Sequence, residues 1–458
     1  MGLKLKNTLS GIKEDFRPLK DGEVSIYVCG VTLYDDIHVG HLKSIVAFEV
    51  MRNYFEKTGS KVVFVRNITD VDDKIIAKAE ALNIDPLILV NAYVEKFHNL
   101  LETIGIRAPT VEPRVTQYLS EIESYIQDLK NSGHAYQAED GIYFDTQLNA
   151  PERYPLSKKI VKDLENNTRL GDENHNKRHK ADFALWKLDN KHGYHSNIFK
   201  SQGRPGWHIE CSVMHHHTLG EKFDIHGGGR DLIFPHHENE ILQSVAHNGV
   251  NPSNYWVHNG MMTKDGKKLS KSLGNSIYVK DMLLKYSAEA IKIFLNKGQY
   301  NQSQEFQEDE IKEAHQRWNN FVENIPNYNN DVLNESDIVN NVVKALEDDF
   351  NTPLAITILY ASLKELNTNK SARLADEILI VLKLLSIVPN VTNLGLIYDK
   401  WKNNQEMPEE IRILLEKRIE AKSNKDFKLS DNLRDIILEK GWSLKDTVNG
   451  FEIQKIIQ

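Results

Sequence analysis

The chain has 458 residues, with 57 Lys and Arg against 65 Asp and Glu, a net charge of −8, two cysteines and 18 histidines. That length exceeds a single core, so roughly three or four domains are expected, and the negative balance excludes a bulk basic nucleic-acid binder while leaving local basic strips. Two cysteines make no disulfide framework, which fits a reducing, cytoplasmic setting and turns attention to metal binding. Met1 to Phe16 carries no apolar signal core, and Lys6 stands where a myristoylation signal needs Ser or Thr. The most apolar run, Ile378 to Val388, is broken by Lys383 and too short for a bilayer, so no membrane segment is expected.

In chain order, Ser25 to Val28 reads as the end of a buried strand, Gly30 as a turn, and His38 to about Lys57 as a helix ended by Gly59. A strand feeding a helix N-terminus makes an anion site, because unpaired N–H groups and the helix dipole face what lies above the sheet edge. Lys61 to Ile68 reads as a second buried strand, giving a βαβ start and a parallel sheet. Thr69 to Asp73 caps a further helix, Lys74 to Leu82. From about Val115 to Gln202 the pattern is irregular, with short strands such as Gly141 to Asp145 and a basic run, Lys177 to Lys180, and is read as an insertion. The basic run is either a solvated loop or a contact for acidic substrates.

The sheet resumes with Phe223 to His226, followed by Gly227, Gly228 and Gly229 as a loop that lets backbone approach a nucleotide. Pro235 suits the first turn of an apolar helix through Ile241, Leu242 and Val245, which puts His236 and Glu240 on one face. Lys264 to Asn275 is a glycine-flanked loop with Lys264, Lys267, Lys268 and Lys271, suited to phosphate. Beyond about Glu310 the chain is mainly helical to about Leu396, with a loop from Asn324 to Asn341. The tail holds two amphipathic helices, one through Ile411, Leu414, Leu415 and Ile419, the other through Leu429, Leu433, Ile436 and Ile437, ending near Gly441.

Two chemistries emerge. Cys29, Cys211, His236 and Glu240 combine soft sulfur, imidazole and carboxylate, a set that suits zinc; the residues alone leave open that both cysteines are core thiols. His38 and His41 at a helix start, with Gly40 between them for close approach, and Lys268 and Lys271 on the later loop could stabilise charge on a triphosphate.

The segment His38-Val-Gly-His41 resembles the HIGH signature, and Lys268-Leu-Ser-Lys-Ser272 the KMSKS signature, of class I aminoacyl-tRNA synthetases. The text between them is similar to the cysteinyl-tRNA synthetase family: Tyr27 to Gly30, Asn67 to Lys74, Asp182 to Lys187, Gly203 to Cys211 and Phe223 to Glu240, with Asp349 to Pro353, Lys425 to Phe427 and Ser430-Asp431 further on. The resemblance implies a Rossmann-like, doubly wound parallel sheet (1–114 and 203–262) with a connective insertion (115–202). A stem-contact region with the lysine loop (263–310), a helical tRNA-binding bundle (311–398) and a small anticodon-binding domain (399–458) then follow.

It further implies Cys29, Cys211, His236 and Glu240 as ligands of one Zn2+ that binds the substrate sulfur. His237 matches no ligand, and His215 to His217 is read as helix surface. Trp207 and His226 match the amino-acid pocket, with Gly30, Thr32 and Thr69 as further members. Gly40, Gly227, Gly228, Gly229, Asp231 and Lys271 match the ATP site, Asp231 facing the ribose, and His38, His41, Lys268 and Lys271 the catalytic set. The implied partners are L-cysteine, ATP with Mg2+, and tRNA(Cys), with no membrane and a monomeric enzyme. The chain departs from the family at Val39, Leu269 and Val31, and its end, Asp446 to Ile453, lacks the usual closing Gly-Thr-x-Trp. Two alternatives share parts of this pattern. A mycothiol-type cysteine ligase lacks a tail such as Glu310 to Gln458, and a non-catalytic zinc-containing RNA-binding relative would tolerate loss of the two signatures.

Overall fold

The computed structural model describes residues 2–160, 176–269, 274–325, 336–390, 392–405, 408–424, 426–447 and 450–455. The chain opens with a short antiparallel pair, β1 (Lys4–Lys6) and β2 (Lys13–Asp15), before β3 (Glu23–Val28) enters the central sheet. Helix α1 (Val39–Lys57) crosses over to β4 (Lys61–Arg66), parallel to β3. Asp72 then caps α2 (Asp73–Leu82), accepting from the Lys74 N–H at 2.8 Å, and Asp85 with Pro86 at the first turn starts α3 (Pro86–Thr103).

The described part of the stretch read as irregular, 115–160 and 176–202, includes an amphipathic helix, α4 (Leu119–Asn131), whose Ile122, Tyr125, Ile126 and Leu129 are buried at helical spacing. It is followed by β5 (Ala135–Gln137), β6 (Gly141–Phe144), the single turn α5 (Thr146–Asn149), β7 (Phe183–Leu188), β8 (Tyr194–Ser196) and β9 (Ser201–Pro205). These strands form a separate antiparallel sheet in the order β5-β6-β7-β9-β8. Within the basic run, Arg178 turns into this insertion, 4.1 Å over the Tyr136 ring and 3.6 Å from Asp145, rather than toward a ligand site.

Helix α6 (Trp207–Leu219), β10 (Phe223–Gly229), α7 (Glu238–Asn248) and β11 (Ser253–Asn259) complete the core. The sheet is parallel, in the order β11-β10-β3-β4. Side chains alternate across it: Val24, Ile26 and Val28 pack with α1, whereas Tyr27 and Val65 pack with Ile209, Cys211 and Val213 of α6 on the other face. Helices therefore cover both faces, and the chain leaves the sheet in opposite directions between β3 and β10, the switch point where such folds bind ligands.

Two local expectations are corrected here. Gly227, Gly228 and Gly229 are not a loop but the last residues of β10, paired with Val257, His258 and Asn259. Gly227 is needed because a Cβ there would lie 2.3 Å from the Phe48 ring of α1. Pro235 lies in an irregular turn, Ile233–His237, and α7 begins only at Glu238.

The lysine loop starts as a hairpin, β12 (Met262–Lys264) and β13 (Lys267–Lys268), and β14 (Gln304–Glu305) pairs in parallel with β12. Between them run α8 (Val279–Leu283) and α9 (Ala288–Lys297). The helical part comprises α10 (Glu308–Glu323), α11 (Asp337–Glu347), α12 (Thr352–Asn369), α13 (Ala372–Leu384) and α14 (Leu394–Gln405). Residues 337–341, expected as loop, are helical because Ser336 caps α11 and Val339, Val342 and Leu346 supply a buried stripe within the asparagine-rich text. The tail pairs α15 (Glu409–Ser423) with α16 (Phe427–Glu439) and then adds a hairpin the sequence reading lacked, β15 (Trp442–Thr447) and β16 (Gly450–Lys455). Trp442 and Leu444 of that hairpin pack against Ile411, Leu415 and Ile437. No helix among the described residues is long and apolar enough to cross a membrane.

Replacing Gly227 by Ala is expected to drive a methyl into Phe48 and lower unfolding free energy by about 1–3 kcal/mol, the usual cost of overpacking; urea denaturation followed by circular dichroism measures it.

Candidate active site and metal cluster

At the switch point lies a cleft of about 470 Å³. Cys29, Gly30 and Thr32 line it from the end of β3, and His38, Gly40 and His41 from the start of α1. Trp207, Gly229, Asp231 and Lys268 close the opposite side. Gly227 and Gly228 do not line it, and Thr69 is buried behind Thr32, to which it forms a parallel bridge.

His38 is the N-cap of α1: its Nδ1 accepts from the Gly40 N–H at 3.1 Å, and its own N–H donates to His41 Nδ1 at 3.3 Å. The two rings stack with centroids 3.7 Å apart. A Cβ at Gly40 would stand 2.9 Å from His38 Cε1, so glycine is what lets the ring fold back over the helix start. Imidazoles at a helix N-terminus join backbone N–H groups and the positive dipole end, which suits a polyphosphate.

Facing them, Lys268 Nζ is 2.9 Å from Asp231 Oδ2. Both partners are about half exposed, so the pair adds little stability and is readily exchanged. After the loop the chain returns to the same helix start, with Tyr278 bridging His38 and the Val279 N–H donating to Ile37 O at 3.1 Å. Lys271 lies outside the described residues.

The floor is tightly built. The Gly30 N–H donates to Asn67 Oδ1 at 2.8 Å, and a Cβ at Gly30 would fall 1.7 Å from Asn67 O. Beneath Cys29, the thiols of Cys29 and Cys211 are 3.7 Å apart, Cys29 Sγ is 3.7 Å from Glu240 Oε1, and His236 Nε2 is 3.0 Å from the same oxygen. These four residues form a group that could hold a metal ion. A tetrahedral ion of zinc's size, with bonds of about 2.3 Å to sulfur and about 2.1 Å to oxygen, sets S–S near ~3.8 Å and S–O near ~3.6 Å; the cluster comes close to both.

The electrostatics also fit a cation. Glu240 is fully buried, its carboxyl is pushed well up by that burial, and Oε2 has no hydrogen-bond partner among the described residues. The Cys29 S–H donates to Cys211, which brings the Cys211 thiol down to about 7, while burial drives Cys29 well up. Two thiols and a carboxyl buried this closely give up their protons together most readily to a bound positive charge. His208 Nδ1, 3.0 Å from His236 Nδ1, and Trp207, 4.2 Å from the His236 ring, hold that imidazole in orientation.

A second group, Cys29, His226, His237 and Glu240, shares two of these residues. His237 Nε2 is 3.4 Å from Cys29 Sγ and its Nδ1 is 2.7 Å from His258 Nε2, while His226 stacks on Trp256 at 4.3 Å. His237 thus lies against the cluster, although the sequence reading gave it no ligand role. His215 is likewise corrected: it is buried, its Nε2 is 3.9 Å from Glu240 Oε2, and only His217 of that run is fully surface-facing. Burial pushes His226 and His237 well down and His215 to about 3, so these rings are neutral and able to donate or accept. Of the missed residues, Asn67, His208 and His237 lie inside the family-like stretches and His215 outside them, and only the fold turns them toward the cluster.

The fold, the switch-point cleft and the paired signatures define a class I aminoacyl-tRNA synthetase. Residues 15–316 match the family model described as the catalytic domain of "tRNA synthetases class I (C)", and residues 341–397 match the DALR domain. The chain belongs to the cysteine–tRNA ligase family. It is 36% identical to the cysteine–tRNA ligase of Desulfotalea psychrophila over 482 residues, covering 98% of both chains. It is 37% identical to that of Thermodesulfovibrio yellowstonii, covering 97% of this chain and 98% of the relative. Against the ligase of Clostridioides difficile the identity is 36%, covering 99% and 100%. Among solved structures, Mycobacterium tuberculosis methionyl-tRNA synthetase in complex with methionyl-adenylate superposes with a TM-score of 0.58 at 12% identity, over 82% of this chain and 93% of that one. The LeuRS–tRNA–LeuAMS complex of Agrobacterium radiobacter K84 gives 0.58 at 10% identity, over 85% and 86%. Those two likenesses show the shared fold.

Gly40→Ala is expected to push His38 out of its cap, costing about 1 kcal/mol. In histidine-labelled NMR spectra it should move the His38 and His41 signals and leave the cluster histidines in place.

Proposed function

We propose that the cleft activates L-cysteine with ATP and passes it to tRNA(Cys), and that Cys29, Cys211, His236 and Glu240 hold a single zinc that selects the substrate by its sulfur. The observation that carries this reading is the buried group of two thiols, an imidazole and a carboxylate directly under a cleft whose mouth bears His38, His41 and Lys268. Zinc held there would supply a soft Lewis acid on which a thiol, with pKa near ~8.5, ionises far more readily than a serine hydroxyl. This four-residue set is favoured over the one with His226 and His237 because it uses both sulfurs, which suit zinc best.

The chain's own residues do the rest. Gly30 and Thr32, supported by Asn67 and Thr69, line the amino-acid end of the cleft, with Trp207 as its wall and His226 a neutral imidazole below. The cysteine carboxylate attacks the α-phosphate of ATP, the bond from that phosphorus to the bridging oxygen breaks, and pyrophosphate leaves with the released charge. His38, His41, Lys268 and Lys271 stabilise that charge, and Mg2+ bound with ATP would supply further positive charge there. Asp231 takes the ribose hydroxyls, so ATP arrival exchanges the Lys268–Asp231 pair for contacts of each partner with nucleotide. Gly229 borders this end, and Gly227 and Gly228 shape the strand beneath it. A 3′-terminal ribose hydroxyl of tRNA(Cys) then attacks the adenylate carbonyl and AMP departs.

One methylene or hydroxyl in an apolar pocket discriminates by only about 1–3 kcal/mol, so thiol coordination explains selectivity without a hydrolytic second site. Cysteine-dependent exchange of pyrophosphate into ATP should be strong with cysteine and absent with serine. Cys211→Ser should lose both bound zinc, measured by plasma mass spectrometry, and exchange; His237→Gln should keep its zinc. The opposite metal pattern would assign the His226–His237 set instead. Lys268→Ala should lower the exchange kcat by about 100-fold, the usual loss for one stabilising donor.

A further inference from the structure

We propose that Asp349, in the helical part of the chain, is a positioning residue for the activation step: it holds the segment Gln299–Glu305, which registers the two halves of the phosphate site against each other. Asp349 is buried and follows α11 with φ of +57°, and Phe350 follows with φ of +50°. Two consecutive non-glycine residues in the left-handed region persist only where the surroundings demand them.

What demands them is visible on both sides. Phe350 is buried edge-on against Tyr54 of α1, with ring centroids 5.4 Å apart. The Asp349 carboxylate receives the Tyr300 hydroxyl at 2.9 Å, the Asn301 side-chain amide at 2.9 Å and the Lys6 N–H at 2.8 Å. Its carbonyl receives the Gln299 side chain at 2.7 Å. Three successive residues, Gln299, Tyr300 and Asn301, therefore end on one aspartate.

From there the segment reaches both signatures. Gln302 O accepts from Lys43 Nζ at 2.6 Å, and Lys43 is a buried lysine of α1 two residues beyond His41. Tyr300 O accepts from the Gly260 N–H at 2.8 Å, and a Cβ at Gly260 would lie 2.1 Å from Gln302 O, so the backbones touch. Gln304 and Glu305 then pair with Met262 and Thr263, the strand whose hairpin partner carries Lys268. Helix α1, with His38 and His41, and the hairpin, with Lys268, thus share one short anchor. A shift of that anchor alters the distance between imidazoles and lysine without touching the metal cluster or the wall at Trp207.

The inference rests on the assignment of Lys268 to the phosphates, and its test separates the two. Tyr300→Phe and Asp349→Asn, assayed by cysteine-dependent pyrophosphate exchange well below their melting temperatures, are expected to lower kcat about 10-fold. The KM for cysteine and the zinc content should stay at wild-type values, and the double variant should be no worse than Asp349→Asn alone. Lys13→Ala, which removes the neighbouring Lys13–Asp348 ion pair but leaves Gln299–Asn301 in place, should retain full kcat. If Tyr300→Phe and Asp349→Asn lose only thermal stability, or if Lys13→Ala loses as much kcat as they do, Asp349 is structural and the proposal is wrong. Should Asp349→Asn not fold, Tyr300→Phe decides alone. If Lys268→Ala also leaves kcat unchanged, the phosphate assignment itself has failed; if Lys268→Ala is impaired and the other two are not, only the positioning role has.

Discussion

A carboxylate with no solvent exposure, Glu240, sits within 4 Å of four imidazoles and beside two thiols, and much of the catalytic core is arranged around that fact. Burying such a group is costly unless a cation or a set of donors compensates it. The compensating groups come from every surrounding element: Cys29 from the end of β3, Cys211 and His215 from α6, His226 from β10, and His236 and His237 from the turn before α7. Because those elements converge only when the parallel sheet and both helical layers are assembled, the cluster is a property of the whole core rather than of any one motif.

The cleft above depends on a second constraint, close approach of backbone. Gly30 lies against Asn67, Gly40 under the His38 ring, Gly227 against Phe48 and Gly260 against Gln302. In each case the space a methyl group would need is already taken. These glycines are not loops made flexible; they let strands, helix start and hairpin meet at distances other residues forbid. The result is one cleft lined by groups far apart in the chain, from Cys29 and Trp207 to His38, His41 and Lys268.

Motif residues were legible because their chemistry is local. His38, Gly40 and His41 share one helix start, so spacing alone brings them together; His236 instead reaches Glu240 from the irregular turn before α7. The buried strands read at Ser25–Val28 and Lys61–Ile68 were equally clear from continuous apolar runs, the second ending two residues earlier, at Arg66. Elements whose signals are diluted by polar text were harder. The α11 start hid among asparagines, α4 lay inside a stretch of short strands, and the terminal hairpin depends on Trp442 and Leu444 finding Ile411 and Ile437 on a preceding helix pair. The three glycines of β10 misled because glycine marks loops and close contacts alike; only Phe48, supplied by α1, distinguishes the two.

By itself, the sequence determined the class of fold, through apolar periodicity and through two short signatures that resemble a known family, because both are set by neighbours along the chain. Tertiary structure decided which histidines matter. His215 reads as helix surface and His237 as no ligand in the sequence, yet burial strips both of water and sets them within 4 Å of Glu240, whereas His217, on the helix of His215, stays outside. It also decided the course of the stretch that opens the site, from Tyr27 to His41: the strand end delivers Cys29 to a buried cluster and the helix start delivers His38 to the cleft mouth. The physical reason is that burial and charge compensation are sums over elements distant in sequence, and such sums exist only once the chain has folded.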